Sequence, residues 1–180
     1  MLKELEKPIA DIKSDMVHQL FFKEFEVGKI NAQEFREFIK EFTSKKISDI
    51  EIDKAWNEML GDLPVKRLHV LNKLKQHYQL ILFSNTNEIH LKEFRNICSQ
   101  FNVSNFDSYF GKAYYSHLVG MRKPNVETYQ WICKQHGFSP ADILFFDDSE
   151  VNLKGAESIG IQTFLVNDAD ELFQELDKQV

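Results

Sequence analysis

Ser84, Lys123, Asp147 and Asp148 are the residues whose types and positions suit chemistry on an anionic group. Asp147 and Asp148 are adjacent and close the apolar run in 143-ILFFDDSE-150. Neighbouring carboxylates repel, and a hard cation in front of them relieves the repulsion. Magnesium is commonly held by one or two carboxylates together with waters and substrate phosphate oxygens. Ser84 closes a second apolar run, 80-LILFSNTN-87. Lys123 stands in 120-GMRKP-124, between a glycine that permits unusual backbone and a proline that stiffens the chain behind it. A lysine held like that can be aimed inward to neutralise anionic groups beside a metal. Taken singly, each feature is better explained by a plainer reading. The aspartates and the serine suit helix N-caps in solvated turns, and the lysine suits a surface position at a helix start. Their weight comes from occurring together and in this order.

The elements that would position them are legible in the hydrophobic spacing. Up to about residue 60, apolar residues recur with helical periodicity in the groups Phe21/Phe22/Phe25, Phe35/Phe38/Ile39/Phe42 and Ile52/Trp56/Met59/Leu60. Asn31 and Ser48 each precede a Glu by three residues, the signature of a capped helix start. Three or four short helices are expected there, their aromatic stripe forming a core. The texture changes near 61-GDLP-64. Helices are predicted over 65–77, 88–100, 125–137 and 150–160, and strands over 78–84, 112–116, 142–146 and 162–166. Strands alternating with helices imply βαβ units and a parallel sheet. The runs 80–83 and 143–146 are apolar throughout, as expected of strands covered on both faces. Ligands of such sheets bind beyond the carboxyl ends of the strands, which is where Ser84 and the two aspartates fall.

Composition limits the partners. Net charge is -6 over 180 residues with acids and bases intermixed, so no basic stripe suggests nucleic acid. No apolar run approaches the roughly 20 residues of a membrane span, and the charged N-terminus does not read as a signal peptide. A cytoplasmic location is the expectation. Cys98 and Cys133 have no metal-ligand spacing and read as reduced packing residues. His90, near the second apolar run, reads as structural.

The ordered set 80-LILFSNTN-87, 120-GMRKPNVETYQ-130 and 144-LFFDDSEVNLKGAESIGI-161 resembles the haloacid dehalogenase (HAD) superfamily, which is dominated by phosphohydrolases. The resemblance covers residues 64–166 closely. It implies a Rossmann-like, three-layer α/β/α core over 63–180 with a small all-helical cap over 1–62. In that family an aspartate attacks a phosphoryl group, and water hydrolyses the aspartyl-phosphate. Ser84 matches the motif whose hydroxyl binds phosphoryl oxygens, and Lys123 the motif whose ammonium offsets charge. Asp147 and Asp148 match the motif whose carboxylates hold Mg²⁺ directly or through water. Asn85 and Asn152 sit beside these motifs, where they would orient the groups, Asn85 as part of the phosphate-binding set. The double aspartate argues for a Mg²⁺-dependent phosphatase over a haloacid dehalogenase, whose fourth motif is less acidic. The wording of 83-FSNTN-87 and 119-VGMRKP-124 points weakly to a small metabolite such as a sugar phosphate.

The resemblance also implies an apolar first strand ending in Asp-x-Asp, which supplies the nucleophile. That motif is not found. Asp11 and Asp15 follow no apolar strand, and 164-FLVNDAD-170 comes after the fourth motif, where a helix N-cap explains it better. In the family this strand is central, between the strands that end here in Ser84 and Asp147. Leaving it out exposes two rows of backbone groups, each unpaired group costing about 1–3 kcal/mol against a total stability of about 5–15 kcal/mol. The expectation is a fragment or truncated form of a longer chain, with self-association through the unfilled position as a further consequence. The alternative is a catalytically inactive binding or regulatory protein with a repacked sheet.

Overall fold

A computed structural model of the chain describes residues 16–41 and 46–180. Phe42 of the second aromatic group, and Asp11 and Asp15, lie outside the described residues. Two compact units are present. One gathers the described residues up to 64 with 82–108 and 112–120, and the other gathers 65–81, 109–111 and 121–180.

The first unit opens with three helices, α1 (Met16–Glu26), α2 (Ala32–Glu41) and α3 (Asp49–Asn57). The capping signatures mark where α2 and α3 begin. The Asn31 side chain accepts from the Gln33 and Glu34 amides at 2.9 and 3.0 Å. Ser48 accepts from the Glu51 amide at 3.3 Å, while Glu51 accepts from the Ser48 amide at 2.9 Å, a complete capping box. The apolar faces meet in a core of Phe25, Phe35, Ile39, Ile52, Ala55 and Trp56. Phe25 stacks on Phe35 at 4.4 Å and Phe22 on Trp56 at 5.4 Å. Burying each large side chain here contributes about 1.5–3 kcal/mol.

The same core takes in Ile89 of α5 (Glu88–Gln100). His90 bonds the Trp56 carbonyl at 3.0 Å and stacks on its ring, contacts that serve packing. Glu88 accepts from the Ala32 amide at 3.2 Å. These ties are why the unit joins stretches distant in sequence. Strand β1 (Ile81–Ser84) leads into α5 through Asn87, which caps it, and pairs with β2 (Lys112–Tyr115). The one-turn helix α6 (Ser116–Val119) follows β2 and ends at Gly120, which is left-handed at φ 72°.

In the second unit, β3 (Leu144–Asp147) and β4 (Gln162–Leu165) run parallel, with Leu144 opposite Gln162 and Asp147 opposite Leu165. Helix α8 (Glu150–Glu157) connects them, and α7 (Val126–His136) packs on α8 and ends at the left-handed Gly137. Tyr129, Cys133, Ala156 and Ile161 form their core. Helix α4 (Val65–Leu74) lies against the C-terminal α9 (Ala169–Gln179). Arg67 and Lys73 on α4 pair with Asp170 and Asp177 on α9. Asp168 accepts from the Asp170 and Glu171 amides at 2.7 and 3.0 Å, so 164-FLVNDAD-170 ends in a helix cap.

The predicted strands all form, each as four residues. Among the described residues they make two pairs, β1–β2 and β3–β4. The sequence expects β3 to be covered on both faces, but Leu144 and Phe146 are 53% and 37% exposed, and Phe164 beside them is 47% exposed. Phe145 points the other way, into the α7–α8 core. One face of this pair is therefore open.

Candidate functional site

The carboxyl end of β3 carries the densest polar geometry in the second unit. Lys123 Nζ donates to Asp147 Oδ2 at 2.6 Å. The two side chains are only 13% and 5% exposed, so this is a buried ion pair. The other carboxylate oxygen, Oδ1, accepts from Asn152 Nδ2 and from the Ser149 amide, both at 2.9 Å. Burial disfavours the charge on Asp147. The Lys123 ammonium, Asn152 and the Ser149 amide outweigh it and hold the carboxyl below the ordinary aspartate range. Beneath the ammonium lies the Phe145 ring, 5.4 Å from Nζ.

Asp148 differs in every respect. It is exposed, and no described residue donates to its carboxylate. β3 ends with Asp147 buried among three donors, and Asp148, one residue beyond the strand, is exposed. Among the described residues no group of three or more His, Cys, Asp or Glu could hold a metal. That excludes an all-protein cage among them but suits magnesium, which keeps several waters and takes one or two carboxylates plus phosphate oxygens. Asp148 has the open oxygens such an ion needs.

Residues with no sequence signal hold this end of the strand in place. Tyr129, 2% exposed, donates its hydroxyl to the Asn152 carbonyl at 2.7 Å. Its phenol is pushed above the usual tyrosine range by burial and by the Asp147 charge. Gly155 lets α8 lie against the turn that carries Lys123. A Cβ there would stand 2.4 Å from the Pro124 carbonyl oxygen and 2.9 Å from the Tyr129 ring. Glycine to alanine inside a helix ordinarily gains about 0.5–1 kcal/mol. At Gly155 the overpacking, typically about 1–3 kcal/mol, reverses the sign. Gly155→Ala is expected to lower the melting temperature by several degrees; a rise in a thermal melt would show that α8 does not press on the Lys123–Pro124 turn.

Ser84 and Asn85 fall in the first unit, at the carboxyl end of β1, and both are half-buried. The loop they begin ends in Asn87, 2% exposed, whose side chain accepts from the His90 amide at 3.0 Å. Of the residues expected at the site, the structure brings Lys123, Asp147 and Asn152 into direct contact, with Asp148 next along the chain. Ser84 and Asn85 belong to the other compact unit. Cys98 and Cys133 are free and buried, and burial raises both thiols.

Strand-end Ser84 and Asp147, with Lys123 in the turn before α7 and Asp148 next to Asp147, carry the motif order of a HAD-type hydrolase. The chain belongs to the haloacid dehalogenase-like hydrolase family, whose model matches residues 10–166. A D-ribitol-5-phosphate phosphatase of Bacteroides thetaiotaomicron is 29% identical over 171 residues, covering 93% of this chain and 82% of the relative. A solved HAD family enzyme from the same organism has a TM-score of 0.81 at 34% identity, over 96% of this chain and 84% of that one. The same enzyme in complex with magnesium and inorganic phosphate has a TM-score of 0.76 at 37% identity, over 84% and 78%. A predicted HAD-like hydrolase of Porphyromonas gingivalis has a TM-score of 0.78 at 25% identity, over 93% and 84%. By resemblance the chain is a phosphohydrolase, and the expected fold class holds. Among the described residues no helix is long and apolar enough to cross a membrane.

Proposed function

We propose that the chain carries the phosphoryl-binding and metal-holding part of a magnesium-dependent phosphatase acting on a small phosphorylated polyol or sugar. The observation that carries this reading is the buried Lys123–Asp147 pair beside the unpartnered Asp148 at the end of β3. In this reading Lys123 offsets phosphoryl charge, Asp147 and Asn152 hold the lysine and the turn, and Asp148 faces the ion. Magnesium, when bound, neutralises phosphoryl oxygens. Ser84 and Asn85 supply hydrogen bonds to the phosphoryl group. The related phosphatase and the magnesium–phosphate complex of the related enzyme support the substrate class and the metal.

A second reading, a phosphate-binding protein without turnover, is favoured by the lack of an Asp-x-Asp at the end of an apolar first strand in the sequence. Hydrolysis of an aryl phosphate and of D-ribitol 5-phosphate, with magnesium and with a chelator, separates the two. From these 180 residues alone a rate at buffer background is expected. A magnesium-dependent rate abolished by Asp148→Asn would instead place an attacking carboxylate within the chain.

A further inference from the structure

The loop after β1 is held by residues that neither the motifs nor the proposed chemistry use. The Thr86 amide donates to Ser116 Oγ at 2.8 Å, and the Ser116 hydroxyl donates to the Thr86 carbonyl at 2.9 Å. One hydroxyl thus satisfies both backbone groups of a single residue, 30 positions earlier in the chain. Ser116 itself is 0% exposed. The neighbouring His117 is half-buried. Its Nδ1 is buried without a partner among the described residues. Burial holds that imidazole below the usual histidine range, with the Thr86 backbone and Glu88 opposing and Arg95 adding to the shift.

Thr86 lies between the residues expected to touch a phosphoryl group, Ser84 and Asn85, and Asn87, which starts α5. Fixing its amide and its carbonyl fixes the peptide planes on either side. We propose that Ser116 is the positioning residue of the phosphoryl-binding loop, and that its hydroxyl sets the conformation in which Ser84 and Asn85 meet the phosphoryl oxygens. The proposal rests on the phosphatase reading for its ligand, but the brace itself is independent of turnover. In Ser116→Ala two part-buried backbone groups lose their shared partner, and the loop must rotate to find others.

Two measurements on the native chain and its variants test this. The first is amide hydrogen exchange at Thr86. Strong protection is expected in the native chain, lost in Ser116→Ala and retained in Ser116→Thr, which keeps the hydroxyl. Exchange of the native Thr86 amide at the rate of an open loop overturns the proposal without any variant. The second is the dissociation constant of inorganic phosphate with magnesium present. Ser116→Ala is expected to weaken it about tenfold, with Ser116→Thr close to native. A purely structural role would lower the melting temperature of Ser116→Ala but leave phosphate affinity unchanged. If Ser84→Ala weakens phosphate binding and Ser116→Ala does not, the positioning role is wrong and the phosphatase reading stands. If Ser84→Ala has no effect either, the assignment of this loop to phosphate fails, and the proposal with it.

Discussion

Lys123→Met should produce the largest loss of stability of any replacement at the site. It leaves Asp147, 5% exposed at its side chain, with a buried charge and only Asn152 and the Ser149 amide as donors. Breaking a buried pair from one side costs about 3–5 kcal/mol, which for a chain of this size lowers the melting temperature by roughly 10 °C. Adding Asp147→Asn should recover part of that loss, because no lone charge remains. The pH dependence has a definite sign. The folded-state carboxyl of Asp147 lies below its unfolded value of about 3.9, so the pair's stabilisation is complete above that value and disappears as pH falls through the folded value. The gap between native and variant should close on acidification, as Asp147 protonates first in the variant, where burial is opposed by fewer donors, and then in the native chain. Phosphate affinity should fall as well, by roughly 10–100-fold if the ammonium makes one charge-assisted bond to the ligand. Urea unfolding across pH, with phosphate titration at neutral pH, measures both effects. A Lys123→Met variant as stable as the native chain would mean that Asp147 does not depend on this partner.

Asp148→Asn should behave in the opposite way. The side chain is exposed and makes no hydrogen bond or ion pair with a described residue. Stability should stay within about 0.5 kcal/mol of native. Magnesium affinity should fall on the order of 100-fold, since ligand charge sets much of the affinity for a hard cation. On the proposed reading the two neighbouring aspartates serve separate ends, Asp147 holding the lysine and the turn, Asp148 facing the ion. A magnesium titration by calorimetry, with a thermal melt of the same sample, checks the pair of expectations. Loss of stability without loss of magnesium affinity would reverse the assignment.

What the sequence disclosed was mostly local. Asn31, Ser48 and Asp168 cap the helices they precede, and the glycine-marked end of α7 falls at Gly137. Those signals depend on neighbours within four residues, so a single chain carries them. The clustering of Lys123 with Asp147 and Asn152 was legible through the order of the motifs. The difference in burial between Asp147 and Asp148 was not, because it depends on what packs against the end of β3. Ser116, Tyr129 and Gly155 left no signal for a similar reason. Their partners are Thr86, Asn152 and Pro124, at distances of 23 to 31 residues along the chain. The apolar run of β3 suggested cover on both faces. Leu144 and Phe146 instead lie on an open face, because hydrophobicity records what a strand could bury and not what lies beside it. The extent of the helical unit was also hidden, since Ile89 and His90 enter its core from beyond β1.

The most direct test is a titration of inorganic phosphate into the native chain, followed by phosphorus NMR, first with excess magnesium and then with a chelator. Saturable binding that requires magnesium, and that weakens in both Lys123→Met and Asp148→Asn, is the expected result. Binding that is indifferent to magnesium and unchanged in both variants would contradict a phosphoryl and metal site at the end of β3.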